Sequence, residues 1–234
     1  MRTPQDVFAD IWRDKARDAA RQSYVAGENL RVDEAARTLS GGRRLLDVGC
    51  GAGSLAVAVG SKYAEVYGVD IAEEAVRRAR ENGVLASRMD LNSARLPFED
   101  GFFDGVAMLS VLPYFYDPYD ILQECRRVLH GGGEFLLSVP NMRGLGKLFK
   151  QFVLGRFPPT SAVKTGSWDG GALHYFCGKD VQELLEGNGF RVQFRKGIFC
   201  RPRLLEKLPD GLPFLSTCKA EFFSGEVFVR AVKT

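Results

Sequence analysis

Apolar and polar positions along this chain fall into two rhythms that take turns. Short apolar runs around Leu45-Leu46, Val66–Val69, Val106–Leu109 and Phe135–Val139 read as buried strands, and the stretches between them repeat apolar residues at three- and four-residue spacing, as helices do. The pattern predicts strands at about 43–48, 65–70, 84–89, 104–110 and 134–139, with helices at 53–61, 72–82 and 118–129. Glu73-Glu74 open the second of these helices and Asn82-Gly83 close it, which suits the helix dipole and a C-terminal stop. Gly131-Gly132-Gly133 reads as the turn before the fifth strand. Upstream, residues 4–38 are expected to be helical, with Val7, Ile11 and Trp12 on one face and Leu30, Ala35 and Leu39 on another, ending at Gly41-Gly42.

Past residue 140 the rhythm breaks. Residues 141–173 form a connection longer than a strand–helix link requires, and loops of that length are usually lids, binding loops or linkers. Part of it reads as an amphipathic helix, with Leu145, Leu148, Phe149, Phe152 and Val153 set against Lys147, Lys150 and Arg156, and Pro158-Pro159 ends it. A helix at 179–188 and a strand at 190–199 follow, then an irregular stretch at 201–220 containing Pro202, Pro209 and Pro213, then a strand at 223–232. Two final strands with no helix between them pair antiparallel. The whole is an α/β pattern: a mostly parallel sheet of seven strands with an antiparallel final strand, and helices on both faces.

Ligands of such sheets lie outside the carboxyl ends of the strands. Asp47, Asp70, Asp90 and Ser110 each fall at or just past one of those ends. The densest chemistry is in Asp47-Val48-Gly49-Cys50-Gly51-Ala52-Gly53, where a strand ends in an acid and three alternating glycines lead into a helix. Glycine lets the backbone turn tightly and lets a ligand lie against it. Gly51–Ala56 also satisfies the dinucleotide pattern G-x-G-x-x-G/A, with Asp70 downstream at about the ~20-residue spacing that pattern asks for. Asp47 argues against a pyrophosphate, which its charge would repel, and for a ligand with a positive centre.

Bulk properties exclude several classes. The 234 residues suit one α/β domain with additions, and a net charge of +3 is too small to indicate nucleic acid by itself. The five cysteines (Cys50, Cys125, Cys177, Cys200, Cys218) are scattered and show neither zinc-ligand nor disulfide-framework spacing, so no metal is expected. No run approaches the ~18 apolar residues of a membrane-spanning helix and the N-terminus is not a signal peptide, which sets the cytoplasm as the expected location.

The string Asp47-x-Gly49-x-Gly51-x-Gly53 resembles motif I of the class I S-adenosylmethionine (SAM)-dependent methyltransferases. Val66–Ile71 resembles motif II, Met89-Asp90-Leu91 motif III, Leu96–Asp104 the segment entering strand four, and Arg127–Gly133 the turn into strand five with His130-Gly131 in place of Lys-Pro. Ser138–Asn141 is similar to the end of strand five in small-molecule relatives. The resemblance covers residues 43–141 in order and is closest to the ubiquinone/menaquinone-biosynthesis type. Trp168-Asp169 with His174-Tyr175-Phe176 resembles, less closely, the MetW-like proteins.

The resemblance implies a Rossmann-like fold over residues 1–234 as one domain: an N-terminal helical segment (1–40), a SAM-binding core (41–140), a lid (141–173) and a C-terminal helix and strands (174–234). It implies SAM as cofactor and S-adenosylhomocysteine as product. Asp47, Gly49, Cys50, Gly51 and Gly53 would hold the methionyl part. Asp70 would accept from the ribose hydroxyls, Ile71 would pack on the adenine, Asp90 and Leu91 would meet its edge, and Ser110 would complete the site. Any one of the acids has an ordinary alternative as a helix or turn cap.

The acceptor side is less legible. Of the two histidines, His130 belongs to the glycine turn away from the cofactor, and His174 is the candidate base or orienter. Tyr114, Phe115 and Tyr116 follow strand four and, with Trp168 and Tyr175, are expected to line an apolar or aromatic pocket, although at least one of the first three should pack the following helix instead. The Asp/Asn-Pro-Pro-Tyr motif of amino methyltransferases is missing at 112–116. These features favour methyl transfer to a small molecule, at oxygen, without nucleic acid. The alternatives are RNA or protein methylation, or a SAM-binding partner protein without turnover. The helix within 143–156 either packs on the core or touches a membrane surface.

Overall fold

A computed structural model describes residues 30–92, 95–157, 172–200 and 219–234. The N-terminal helix expected before residue 30, Trp168 and the proline-containing stretch 201–218 lie outside the described residues. In chain order the elements are α1 (Leu30–Thr38), β1 (Gly42–Val48), α2 (Ser54–Val59), β2 (Tyr63–Asp70), α3 (Glu73–Glu81), β3 (Leu85–Arg88), β4 (Phe103–Leu109), α4 (Pro118–Val128), β5 (Leu129–Pro140), α5 (Leu145–Phe152), α6 (Gly178–Gly187), β6 (Phe190–Cys200) and β7 (Ser224–Lys233).

The strands form one seven-stranded sheet in the order β3-β2-β1-β4-β5-β7-β6. The first five pair parallel, and β7 runs antiparallel between β5 and β6. This is the Rossmann-like arrangement with an antiparallel last strand. Crossover helices force the parallel half, whereas β6 and β7 pair antiparallel, which needs no crossover. Because β7 is reversed, its first residues meet the carboxyl end of β5: Pro140 lies opposite Glu226.

Apolar side chains on alternate positions fill a core on each sheet face. Leu46, Val106, Met108, Leu137 and Val229 belong to the cluster with Ile121 and Leu122 of α4 and Val181 and Leu185 of α6. Leu45, Ala107, Leu136 and Phe228 belong to the cluster with Val32 and Ala35 of α1 and Leu55 of α2. A fan of rings (Tyr67, Phe98, Phe102, Phe103) closes the segment that enters β4, with centroids 4.8–5.9 Å apart. Arg127 of α4 pins that segment by donating to the carbonyls of Leu96 and Phe98 and to Asp100.

Two local expectations are corrected. Gly131–Gly133 do not form a turn between helix and strand. Leu129 is buried and pairs with Phe103 at once, after which the register jumps to Gly105 opposite Glu134, so the glycines bulge out of β5. Gly132, at φ 78°, supplies the backbone that this bulge requires. The α5 helix does not pack on the core either: none of its residues is buried, and Leu145, Phe149 and Phe152 are exposed.

Candidate functional site

The carboxyl edge of the parallel strands gathers most of the predicted residues. The β1 strand delivers Asp47 into a buried position, and among the described residues no hydrogen bond or ion pair satisfies its carboxyl group. Burial first, and the neighbouring Asp70 charge second, raise its pKa to about 7. An acid kept in this state awaits a cationic or donor partner.

The chain then turns through Gly49 (φ 76°), Gly51 (φ 54°) and Gly53 (φ 80°). A Cβ on Gly49 would run into the Val111 side chain, and one on Gly53 would come within 2.8 Å of Val84. The loop is pinned from β2: the Gly49 and Cys50 amides donate to the Val69 carbonyl at 2.8 and 3.1 Å. Cys50 is buried as a small filler beside Gly68, where any side chain would strike its sulfur, and burial keeps its thiol protonated.

Asp70, at the end of β2, joins both sides of the crevice. One oxygen accepts from the Gly51 amide and the other from the Ala72 amide, each at 2.9 Å. These two bonds fix the orientation of the carboxylate at the mouth of the crevice. Ile71 is half-buried beside it. Asp90 lies just past β3, where it accepts from the Asn92 amide at 3.1 Å, the turn-capping role open to any aspartate. Leu91 packs on the core edge.

Ser110 ends β4 in the left-handed region, at φ 59°, a conformation rare for a side chain other than glycine. Its amide is held by the Ser138 carbonyl at 2.9 Å, and its hydroxyl donates to Glu226 at 2.5 Å. Glu226 is buried and is also clamped by Arg31 of α1 through bonds of 2.7–2.9 Å. Glu226 and Arg31 carry no sequence signal of their own, since only the reversal of β7 brings residue 226 to residue 110.

After β4, a short turn at Leu112–Tyr114 is met by residues 173 and 174. The Leu173 and His174 amides both donate to the Pro113 carbonyl, at 2.8 and 3.1 Å. His174 Nε2 lies 3.2 Å from the Tyr116 carbonyl. Since a carbonyl only accepts, Nε2 is the donor in this bond. Tyr114 is half-buried, while Tyr116 and Tyr175 are exposed. Phe115 turns inward, joins the cluster of Ile121 and Leu122, and is the one of the three aromatic residues that packs the following helix.

Lys147 of α5 was read in the sequence only as part of a basic face. It is half-buried, its amine lies 3.6 Å from the Met142 sulfur, and burial lowers its pKa to about 8 against the opposing pull of Glu226. The start of α5 is fastened to β7, with the buried Asn141 side chain donating to the Ser224 carbonyl and hydroxyl at 3.1 Å.

Comparison with known proteins matches residues 46–137 to a methyltransferase domain. The chain is 28% identical over 201 residues to the O-methyltransferase resE of Aspergillus sclerotiorum, a match covering 80% of this chain and 69% of that protein. It is 34% identical over 127 residues to a ubiquinone biosynthesis O-methyltransferase of Alkalilimnicola ehrlichii, covering 51% of each. The chain therefore spans about half the length of that second relative. Among solved structures, magnesium protoporphyrin IX methyltransferase from Synechocystis PCC 6803 with bound S-adenosylhomocysteine superposes with a TM-score of 0.68 at 20% identity, covering 98% of both chains.

Proposed function

The chain belongs to the class I SAM-dependent methyltransferases, with SAM as its cofactor, and from that premise we propose that it moves a methyl group onto an oxygen of a small apolar or aromatic acceptor in the cytoplasm. The observation that carries the donor half is the buried Asp47 carboxyl, without a partner among the described residues, behind a glycine turn that a single Cβ would block. In this reading Asp47 takes the amino group of the methionyl part, Gly49, Cys50, Gly51 and Gly53 form the wall beside it, Asp70 accepts from the ribose, and Ile71, Asp90 and Leu91 bracket the adenine. When bound, the sulfonium supplies an activated methyl group, so the protein's task is chiefly alignment, which can contribute roughly 7–11 kcal/mol.

The acceptor half rests on the segment that returns to the end of β4. Tyr114, Tyr116 and Tyr175 offer ring surface there, and Trp168 is proposed to join them. His174, held by the Tyr116 carbonyl, orients the acceptor. The O-methyltransferase names of the two relatives support oxygen as the atom methylated.

Incubation with methyl-labelled SAM, a panel of phenols and catechols, and a metabolite extract tests the reading. A small O-methylated product, with S-adenosylhomocysteine formed in equal amount, is expected. Label found only in RNA or protein would overturn the acceptor class. Tight S-adenosylhomocysteine binding with no transfer to any acceptor would leave a MetW-like partner protein.

A further inference from the structure

We propose that Lys147 is the general base that takes the proton from the acceptor hydroxyl, with Glu226 as the residue that positions and tunes it. The inference rests on the O-methyl reading above. It begins with placement. The α5 helix lies beyond the carboxyl end of β5, tied to β7 by Asn141, and the backbone of Gly144 approaches β7 so closely that a Cβ there would sit 2.7 Å from the Ser224 carbonyl. Of the four cations with a described environment on or beside α5, Arg143, Lys150 and Arg156 are exposed, while Lys147 is half-buried and feels the charge of Glu226. Glu226 in turn holds Ser110, and the next residue, Val111, abuts the glycine turn at Gly49. Lys147 lies within the field of Glu226, and the contacts from Glu226 through Ser110 and Val111 lead to the donor cradle.

The competing bases are already committed. Both Glu226 oxygens accept from the Arg31 guanidinium, and Oε1 also accepts from Ser110, so its lone pairs are occupied and a cation stabilises its charged form. His174 spends Nε2 on the Tyr116 carbonyl, and in the reading above it orients the acceptor. The Lys147 amine has a thioether sulfur as its hydrogen-bond partner, and sulfur is a weak acceptor. Partial burial favours its neutral, basic form.

The proton balance is simple. The acceptor O–H gives its proton to Lys147 Nζ as the oxygen takes the methyl group from the sulfonium, whose S–C bond breaks with its electron pair left on the neutral thioether of S-adenosylhomocysteine, and the resulting ammonium, steadied by Glu226, releases that proton to solvent. Burial and then the charge of Glu226 from β7 set this titration, while Arg31 from α1 and the hydroxyl of Ser110 from β4 are bonded to Glu226.

The test measures kcat/KM against pH for wild type, Lys147→Met, Lys147→Arg and Glu226→Gln, using one phenol that is neutral at pH 7 and one whose electron-withdrawing groups ionise it there. Equilibrium binding of S-adenosylhomocysteine is measured alongside. Wild type should show an acid limb near pH 8 with the neutral phenol. Lys147→Met should lose that limb and fall by ~100- to 10,000-fold, the range of general base catalysis. It should lose less than about tenfold with the ionised phenol, which has no proton to give up, and should bind S-adenosylhomocysteine as wild type does. Glu226→Gln, isosteric with the native residue, should move the limb to lower pH, because the negative charge that favours the ammonium is gone. Equal losses on both phenols, or recovery by Lys147→Arg, would assign Lys147 a structural or charge role and overturn the proposal. An unchanged limb in Lys147→Met would overturn it alone. A wild type that methylates no hydroxyl acceptor while methylating a thiol or amine removes the O-methyl premise and this assignment with it.

Discussion

At the scale of single residues, the glycine turn is where one atom separates a cofactor site from a blocked one. Gly49 combines a positive φ with a neighbour, Val111, that occupies the space of a Cβ. Gly83 has a similar φ of 81° but open space around it. Both substitutions by alanine incur the left-handed backbone cost of roughly 1–2 kcal/mol. Only Gly49→Ala adds the overpacking term of roughly 1–3 kcal/mol and displaces the wall of the crevice. Gly49→Ala should therefore lower the Tm more than Gly83→Ala and weaken S-adenosylhomocysteine binding by more than tenfold, while Gly83→Ala binds normally. Calorimetric titration of both variants checks this, and equal affinities would remove the turn from the site. The acids and glycines here were legible because each residue type has few reasons to sit at a strand end. Glu226 was not: its meaning depends on a partner 116 positions away. Among Tyr114, Phe115 and Tyr116, composition offered no way to say which ring turns inward. The hydrogen bonds of a three-residue turn decide it.

At the scale of elements, α5 matters most. Its alternation of apolar and basic positions was readable, but its amphipathic pattern suited equally a helix packed on the core and one facing outward. The structure leaves Leu145, Phe149, Phe152 and Val153 at 48–80% exposed, with Arg143, Lys150 and Arg156 exposed beside them. An apolar strip flanked by cations is the surface that anionic bilayers recruit. Each basic residue near such a surface contributes about 1 kcal/mol. Wild type is expected to co-sediment with vesicles containing phosphatidylglycerol and to stay in the supernatant with neutral ones. Phe149→Glu with Phe152→Glu should abolish co-sedimentation. Equal recovery of wild type and variant in the supernatant would leave α5 as a lid without a membrane role. The bulge in β5 marks the opposite limit of sequence reading: three glycines signal a break in regularity, but not whether it falls before the strand or inside it.

At the scale of the molecule, the parallel character of the sheet was readable because parallel strands need crossover helices and the sequence supplies both periods in turn, whereas the order of the strands comes from the structure. The reversed β7 was expected too, yet its consequence was not, for it carries the Glu226 carboxylate to the same carboxyl edge of the sheet as Asp47. Asp47 and Lys147 give the chain a pH dependence. Asp47 has a folded-state pKa raised to about 7 by burial and by Asp70. The folded state thus holds that proton more tightly than the unfolded chain, whose aspartates titrate near ~3.9. The resulting stabilisation is complete below the unfolded value and gone once the pH has risen through about 7. Lys147 acts in a separate window: its folded-state pKa, lowered to about 8, means that the cost of burying the ammonium is present below that value and is relieved as the pH rises toward the unfolded ~10.4. The ligand-free chain should therefore pass through a stability minimum near pH 7–8. Each kcal/mol amounts to ~2–4 °C in Tm for a chain of this size. Asp47→Asn should flatten the fall between pH 5 and 7, and Lys147→Met should flatten the rise above 8. Saturating S-adenosylhomocysteine, whose amino group would hold Asp47 ionised, should raise the Tm by more at pH 8 than at pH 5.5. Thermal unfolding across that range, with and without the ligand, measures all three effects, and a ligand increment that shrinks as pH rises would separate Asp47 from the cofactor's amine.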